Sequence, residues 1–168
     1  LDECHERILS RDVKSEIDVP HFRKSKMDGY AVRAQDTFGA EEDNLVKLEL
    51  IEKIQAGDKP KKALSEGKCV YVATGAPIPK DADAVVMVEF SDREENHVWI
   101  SRAVTPGTHV VAVGHDIEKG SIIMNQGERI RLSSLGMLAS CGIKEVPVMK
   151  KPLVALMSTG DELVESGS

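Results

Sequence analysis

Apolar and polar positions alternate with period two along Leu45–Ile54. Val46, Leu48 and Leu50 fall on one side and Lys47, Glu49 and Lys53 on the other, which predicts a half-buried strand. Short apolar runs follow at Cys69–Val72, Ala84–Val88, Val98–Ile100, His109–Val113 and Ile122–Met124. Gly57, Pro60, Gly67, Pro77, Pro79, Pro106 and Gly107 punctuate them. Short strands at close intervals with turn residues between them predict a barrel or sandwich over residues 25–113. The segment from Ile17 to Asp36, with Pro20 and Met27-Asp28-Gly29-Tyr30, reads as turn and loop.

The period changes at both ends. Cys4, Ile8 and Leu9, behind acidic leading residues, have helical spacing and predict a short helix over Asp2–Val13. Ser133 as N-cap, a stripe of Leu135, Leu138 and Ala139, and Gly142 at the C′ position predict a second helix. A strand through Val146 and Val148 is expected after it. These pieces, residues 1–24 and 114–150, form a small α+β unit into which the barrel-like unit is inserted. Leu153–Met157 is a continuous apolar run, the pattern of a strand buried on both faces of a parallel sheet. Such a strand needs a sheet and covering helices, so residues 151–168 are expected to be the start of an α/β domain cut after its first strand. An opening at Leu1-Asp2-Glu3, without Met, fits the same expectation of an excised piece. The expected class is α+β and β-rich.

Composition removes several functions. Of 168 residues, 22 are Lys or Arg and 28 are Asp or Glu, for a net charge of −6. That balance gives no electrostatic footprint for nucleic acid or an anionic membrane. The longest apolar runs hold about five residues, against the roughly 20 of a membrane-spanning helix. Cys4, Cys69 and Cys141 are odd in number and never form C-x-x-C, so neither a disulfide framework nor a zinc knuckle is indicated. A reducing cytoplasm is expected, with Cys69 and Cys141 as small buried apolar residues.

Four loop clusters combine turn residues with a hydroxyl or carboxylate: Ser25–Tyr30, Ala73–Pro79, Val113–Ile117 and Ser158–Glu162. Each falls at or near a strand end, where a rigid scaffold presents side chains on loops. Asp28, Asp116, Asp161 and Glu162 are hard oxygen donors of the kind Mg²⁺ takes alongside phosphate and water. Taken singly, each reads first as a turn former or helix cap and only second as a ligand. Ser158, Thr159, Gly160 and Asp161 follow a predicted parallel strand, so their amides and hydroxyls suit a phosphate at the carboxyl edge of a sheet. His5, His21, His97, His109 and His115 show no metal-ligand spacing. No nucleophile elbow, G-x-G-x-x-G or Walker A motif occurs. Lys59-Pro60-Lys61-Lys62 reads as a solvated loop.

Together the clusters resemble a known family. Pro20-x-Phe22, Ser25-x-Met27-Asp28-Gly29-Tyr30-Ala31-Val32, Thr74-Gly75-Ala76-Pro77-x-Pro79 and Ala82-Asp83-Ala84-Val85-Val86 occur in order. Gly114-x-Asp116-Ile117, Leu138-Ala139-Ser140-x-Gly142 and Ser158-Thr159-Gly160-Asp161-Glu162-Leu163 continue the series. This series resembles the molybdopterin molybdenumtransferases, the MoeA-like proteins that include the E domain of gephyrin. The resemblance implies insertion of molybdate into adenylated molybdopterin with release of AMP, in a step dependent on a divalent cation such as Mg²⁺. It places functional roles on Asp28, Thr74, Asp116 and Glu162, with substrate-binding positions at Ser158, Thr159, Gly160 and Asp161 and metal ligands at Asp28 and Glu162. It implies an elongated homodimer whose cleft lies between the β-rich second domain of one subunit and the α/β third domain of the other. It also implies a supply of pterin substrate from a molybdopterin adenylyltransferase. The chain departs from the family pattern where a basic residue usually precedes Gly114 and where His115 replaces the usual Glu. A gephyrin-like scaffold and a non-catalytic β interaction module are the competing readings.

Overall fold

A computed structural model describes residues 1, 3–157, 159, 160, 162 and 164. Among these residues ten strands and one α-helix occur in chain order: β1 Val13–Lys14, β2 Lys24–Ser25, β3 Gly29–Val32, β4 Val46–Ile54, β5 Lys68–Val72, β6 Ala84–Met87, β7 Ser91–Glu94, β8 His97–Ile100, β9 Val110–Val111, β10 Ile122–Met124 and α1 Leu132–Ser140. The central sheet has six strands in the order β6-β3-β5-β4-β8-β7. Among the described residues only β4 and β5 pair in parallel, and the long connection between them, residues 55–67, makes the crossover that a parallel pair requires. β6 and β7 remain as edges, so the sheet is a curled half-barrel.

Burial explains why some strands alternate and others do not. On one face Tyr30, Val32, Leu48, Cys69, Ala84, Val86, Val98 and Ile100 form a single core. On the other face Ala31, Ile54, Val70, Val72 and Val85 pack with Leu64, Ala76, Ile78 and Ala82 from the connecting loops. Strands β3, β5 and β6 are therefore covered on both sides and read as unbroken apolar runs. In β8 only Val98 and Ile100 are fully buried, while Trp99 lies half-buried under the Lys47 ammonium, 5.0 Å from its ring centre. In β4 the register shifts between Leu50 and Glu52, so Ile54, which strict alternation would place beside Leu50, joins Ile51 in the second core.

A third core gathers both ends of the chain: Cys4, Leu9, Val13, Met124, Ile130 and Leu138, with Val146 and Val148 against them. The helix predicted over Asp2–Val13 does not form there. The Leu9 N–H donates to the Glu128 carbonyl, the Ile130 N–H to the Arg7 carbonyl, and the Met149 N–H to the Ile8 carbonyl. The segment is thus an extended strip between residues 127–130 and 147–149, and its backbone groups are satisfied by distant partners instead of by one another. The strand expected through Val146 and Val148 reduces to one bridge, Leu9 to Val148.

Helix α1 forms as expected, but Arg131 is its N-cap, without a side-chain bond, in place of Ser133. Its end follows the sequence signal. Gly142, at φ 74°, donates to the Ala139 carbonyl and Ile143 donates to the Leu138 carbonyl, the paired bonds of a Schellman motif. Leu153–Met157 lies in no strand, and Leu153 and Leu156 are almost wholly exposed. No sheet edge among the described residues pairs with it, so the double-sided burial its composition calls for is absent. No helix among the described residues is long and apolar enough to cross a membrane.

Two glycines test this packing in opposite directions. A Cβ at Gly29 would collide with the Val86 carbonyl oxygen and the Val85 side chain, whereas one at Gly136, inside α1, would meet open space. Gly29→Ala is expected to destabilise the protein by about 1–3 kcal/mol or more, and Gly136→Ala to stabilise it by about 0.5–1 kcal/mol. Urea unfolding of the two variants beside the wild type reads both signs.

Candidate functional site

Asp28 leads directly into β3, where Gly29 pairs with Val72 of β5 and Met87 of β6. That register brings Thr74, two residues beyond the end of β5, against the Asp28 carboxylate. Asp28 Oδ1 accepts the Thr74 backbone N–H at 2.6 Å and its hydroxyl at 2.8 Å. The Asp28 carbonyl oxygen accepts the Val88 N–H. The backbone bond from Thr74, followed by its hydroxyl bond, holds the Asp28 carboxyl below its ordinary value of 3.8. Asp28 is an exposed, ionised group whose direction is fixed by a neighbouring loop.

Ser25 shapes the approach. It is buried, and its hydroxyl donates to the Met27 carbonyl at 2.6 Å, closing the turn that presents Asp28. The Ser25 N–H donates to the Ala76 carbonyl and the Gly75 N–H to the Ser25 carbonyl, so the Thr74–Pro79 loop is stitched to β2. On the other side β2 pairs with β9, Lys24 opposite Val111. Beyond β9 the chain turns through Gly114, whose N–H donates to the Pro20 carbonyl, next to a cis Val19–Pro20 peptide bond.

Asp116 sits in this last turn. His115 Nδ1 donates to Asp116 Oδ1 at 2.9 Å, and the Asp116 N–H donates to the Val19 carbonyl. The His115 bond is the chief cause of a lowered Asp116 carboxyl, with the Lys24 ammonium adding to it. Residues 114–118 border a cleft of about 370 Å³ with Ile122, Ile123 and Met137. His115 and Lys24 were not expected as site residues; the first sits inside the Gly114–Ile117 motif, and the second becomes visible only through the β2–β9 pairing.

The structure therefore joins Asp28 with Thr74 and Asp116 with His115, and the Lys24 ammonium acts on Asp116 by its charge alone. Among the described residues no hydrogen bond or ion pair links Asp28 to Asp116 or either to Glu162. Thr159, Gly160 and Glu162 are exposed, with the Glu162 carboxylate folded back over Gly160. Ser158 and Asp161 lie outside the described residues. Two motif residues prove structural: Asp83 Oδ1 accepts the Ala34 N–H at 2.7 Å, and Ser25 closes its own turn.

No three His, Cys, Asp or Glu side chains are grouped as a metal site among the described residues. The donor set fits an open Mg²⁺ site in which one or two carboxylates anchor the ion and phosphate oxygens and water complete it. Asp28 suits that role, since both of its bonds from Thr74 fall on Oδ1 and Oδ2 accepts none among the described residues.

Residues 1–142 match the family described as the MoeA N-terminal region (domain I and II). The chain is 37% identical over 168 residues to the molybdopterin molybdenumtransferase of Bacillus subtilis, covering 98% of this chain and 39% of the relative. It is 36% identical over 165 residues to that of Staphylococcus epidermidis, with the same coverage. The crystal structure of the molybdopterin biosynthesis MoeA protein of Pyrococcus horikoshii superposes with a TM-score of 0.86 at 40% identity, over 90% of this chain and 39% of that one. The chain thus spans well under half the length of the relatives it matches.

Thr74→Val removes one of the two bonds to Asp28 and is expected to raise the Asp28 pKa part of the way toward its ordinary value, read by carboxyl NMR titration. The sign for stability follows from the depressed folded-state value. The contribution is full above about pH 4 and is lost as pH falls through the Asp28 value in the fold. Stability of the variant should accordingly change less between neutral and acid pH than that of the wild type.

Proposed function

Given that the chain belongs to the MoeA family, matching its N-terminal region, we propose that it supplies part of a molybdopterin molybdenumtransferase. The proposed reaction inserts molybdate into adenylated molybdopterin and releases AMP. The observation that carries this reading is the fixed Asp28–Thr74 pair. It is an exposed, ionised carboxylate with one oxygen committed to the scaffold and the other without a hydrogen bond among the described residues, directly before a buried strand.

Both proposed substrates are anions, and carboxylates held below their ordinary pKa repel them unless a cation stands between. Mg²⁺ at Asp28, with Glu162 as a second ligand, would supply that charge and stabilise the phosphate leaving with AMP. The chain's own residues do the positioning. Thr74 aims Asp28, His115 orients Asp116, and the Lys24 ammonium adds positive charge in the neighbourhood of Asp116. Ser158, Thr159, Gly160 and Asp161 are proposed to hold a phosphate. The same reading carries a homodimer, substrate delivery by a molybdopterin adenylyltransferase, and a division into units of residues 1–24 with 114–150, 25–113 and 151 onward.

Molybdate insertion by a full-length protein carrying this sequence tests the proposal, with wild type, Asp28→Ala and Glu162→Ala side by side. AMP release is expected to fall by at least roughly 10- to 100-fold in both variants, the loss typical of even indirect metal partners. Their sheet must stay folded. Wild-type turnover in folded Asp28→Ala would remove Asp28 from the site. Substrate binding without turnover in the wild type would favour the scaffold.

A further inference from the structure

A cleft of about 520 Å³ opens on the far end of the Thr74–Pro79 loop, between His21 and Phe22, Pro77, and the turn Gly57–Pro60. Its size lies within the ~300–1,000 Å³ typical of small-molecule sites. Its walls are flat and apolar: the Phe22 ring, braced edge-on by His21 with centroids 4.9 Å apart, faces a recess that Pro60 and Pro77 also line. Lys59 stands at the rim, and among the described residues no carboxylate lies within ion-pair distance of it.

Both walls are held from behind. Asp58 Oδ2 accepts the Gln55 N–H at 2.9 Å, and the Glu52 carboxylate accepts the backbone N–H groups of Lys61 and Lys62, each at 3.0 Å. The Lys62 ammonium donates to the Ile51 carbonyl. On the opposite wall the Arg23 guanidinium donates to the Pro79 and Lys80 carbonyls. Glu52, Lys62 and Arg23 are thus committed to shaping the walls, and Asp58 is tied to the Gln55 N–H through Oδ2; among the residues lining the cleft Lys59 supplies the cationic side chain, next to Asp58. A segment whose composition reads as a plain solvated loop is instead a tied wall of a recess.

Flat apolar walls with one cation at the edge match a planar heteroaromatic ring that carries a phosphate. We propose that this cleft is a subsite for the ring-and-phosphate end of such a ligand, with the ring against Phe22 and the two prolines and the phosphate at Lys59. The identity of the ligand rests on the activity proposed above, since adenylated molybdopterin carries a fused heteroaromatic ring at each end, adenine or pterin, joined through phosphate. Pro77 is three residues from Thr74 on the same loop, so a ligand seated here is tied to the Asp28 site by a single short stretch of backbone.

The test is a titration of the isotope-labelled protein with AMP, adenosine, neopterin and inorganic phosphate, read at the amides of His21, Phe22, Gly57 and Lys59. Either AMP or neopterin is expected to move these amides, and the one that does identifies the adenylate or the pterin end. Phe22→Ala should weaken that binding about tenfold, as loss of one ring-stacking partner does. For AMP, Lys59→Ala should weaken binding several-fold while leaving adenosine unchanged. Undisturbed sheet amides show that each variant is folded, and Lys59→Ala, on an exposed turn, serves if Phe22→Ala does not fold.

No shift at these amides with millimolar AMP or neopterin overturns the proposal. So does inorganic phosphate moving the same amides with an affinity that Phe22→Ala leaves intact. Ligand binding in the cleft without molybdate insertion by the full-length wild type would leave the subsite standing and remove the transferase reading. Insertion without binding in the cleft would do the reverse.

Discussion

Strand β3 leaves no room beside it, and the rest of the site follows from that. All four of its residues are buried between β5 and β6, and its glycine lies so close to β6 that any side chain would strike the Val86 carbonyl. The Met27-Asp28-Gly29-Tyr30 sequence looks like a turn, yet Gly29 is required by a close approach of backbones rather than by a positive φ. Asp28 is the last residue before this packed strand. Its position is therefore set by the sheet register, and a slip of one residue would carry it away from Thr74 and reverse the faces of Tyr30 and Ala31.

The elements legible in the sequence are those whose signals are local. The alternation in β4 and the Pro and Gly breaks between the later strands give the sheet, and Gly142 gives the end of α1 because a left-handed residue is needed there. Signals that depend on distant partners misled. Cys4, Ile8 and Leu9 have helical spacing, but the backbone of that segment is claimed by residues 127–130 and 147–149, which no local window contains. Leu153–Met157 has the composition of a doubly buried strand and shows that burial is a property of a partner as much as of a sequence.

The candidate site was legible in a different sense. Residue types and spacing gave loops at strand ends, with nothing to choose between turn formers and ligands. The combined motifs singled out Asp28, Thr74, Asp116 and Glu162 by resemblance. The fold then separated motif residues that serve the scaffold, such as Ser25 and Asp83, from those that face solvent with a constrained charge, such as Asp28 and Asp116. Lys24 entered only through the fold, because a charge 92 residues from Asp116 in sequence has no local signature, whereas His115 stands next to Asp116 within the motif.

These groups also share one mechanical support. The two residues of β2 pair with β9, while Ser25 and Lys26 exchange backbone bonds with the loops carrying Thr74 and His109. A two-residue ladder has no stability of its own in water, so its geometry is borrowed from the cores on either side. Val111 is buried, and Ala76 and Ile78 anchor the Thr74 loop in the second core of the sheet. The loops that carry Thr74 and His109 thus share this short strip as a support, beside the sheet register that sets Asp28. A change in that packing would loosen the Thr74 loop first, since Ala76 and Ile78 are its anchors in the second core.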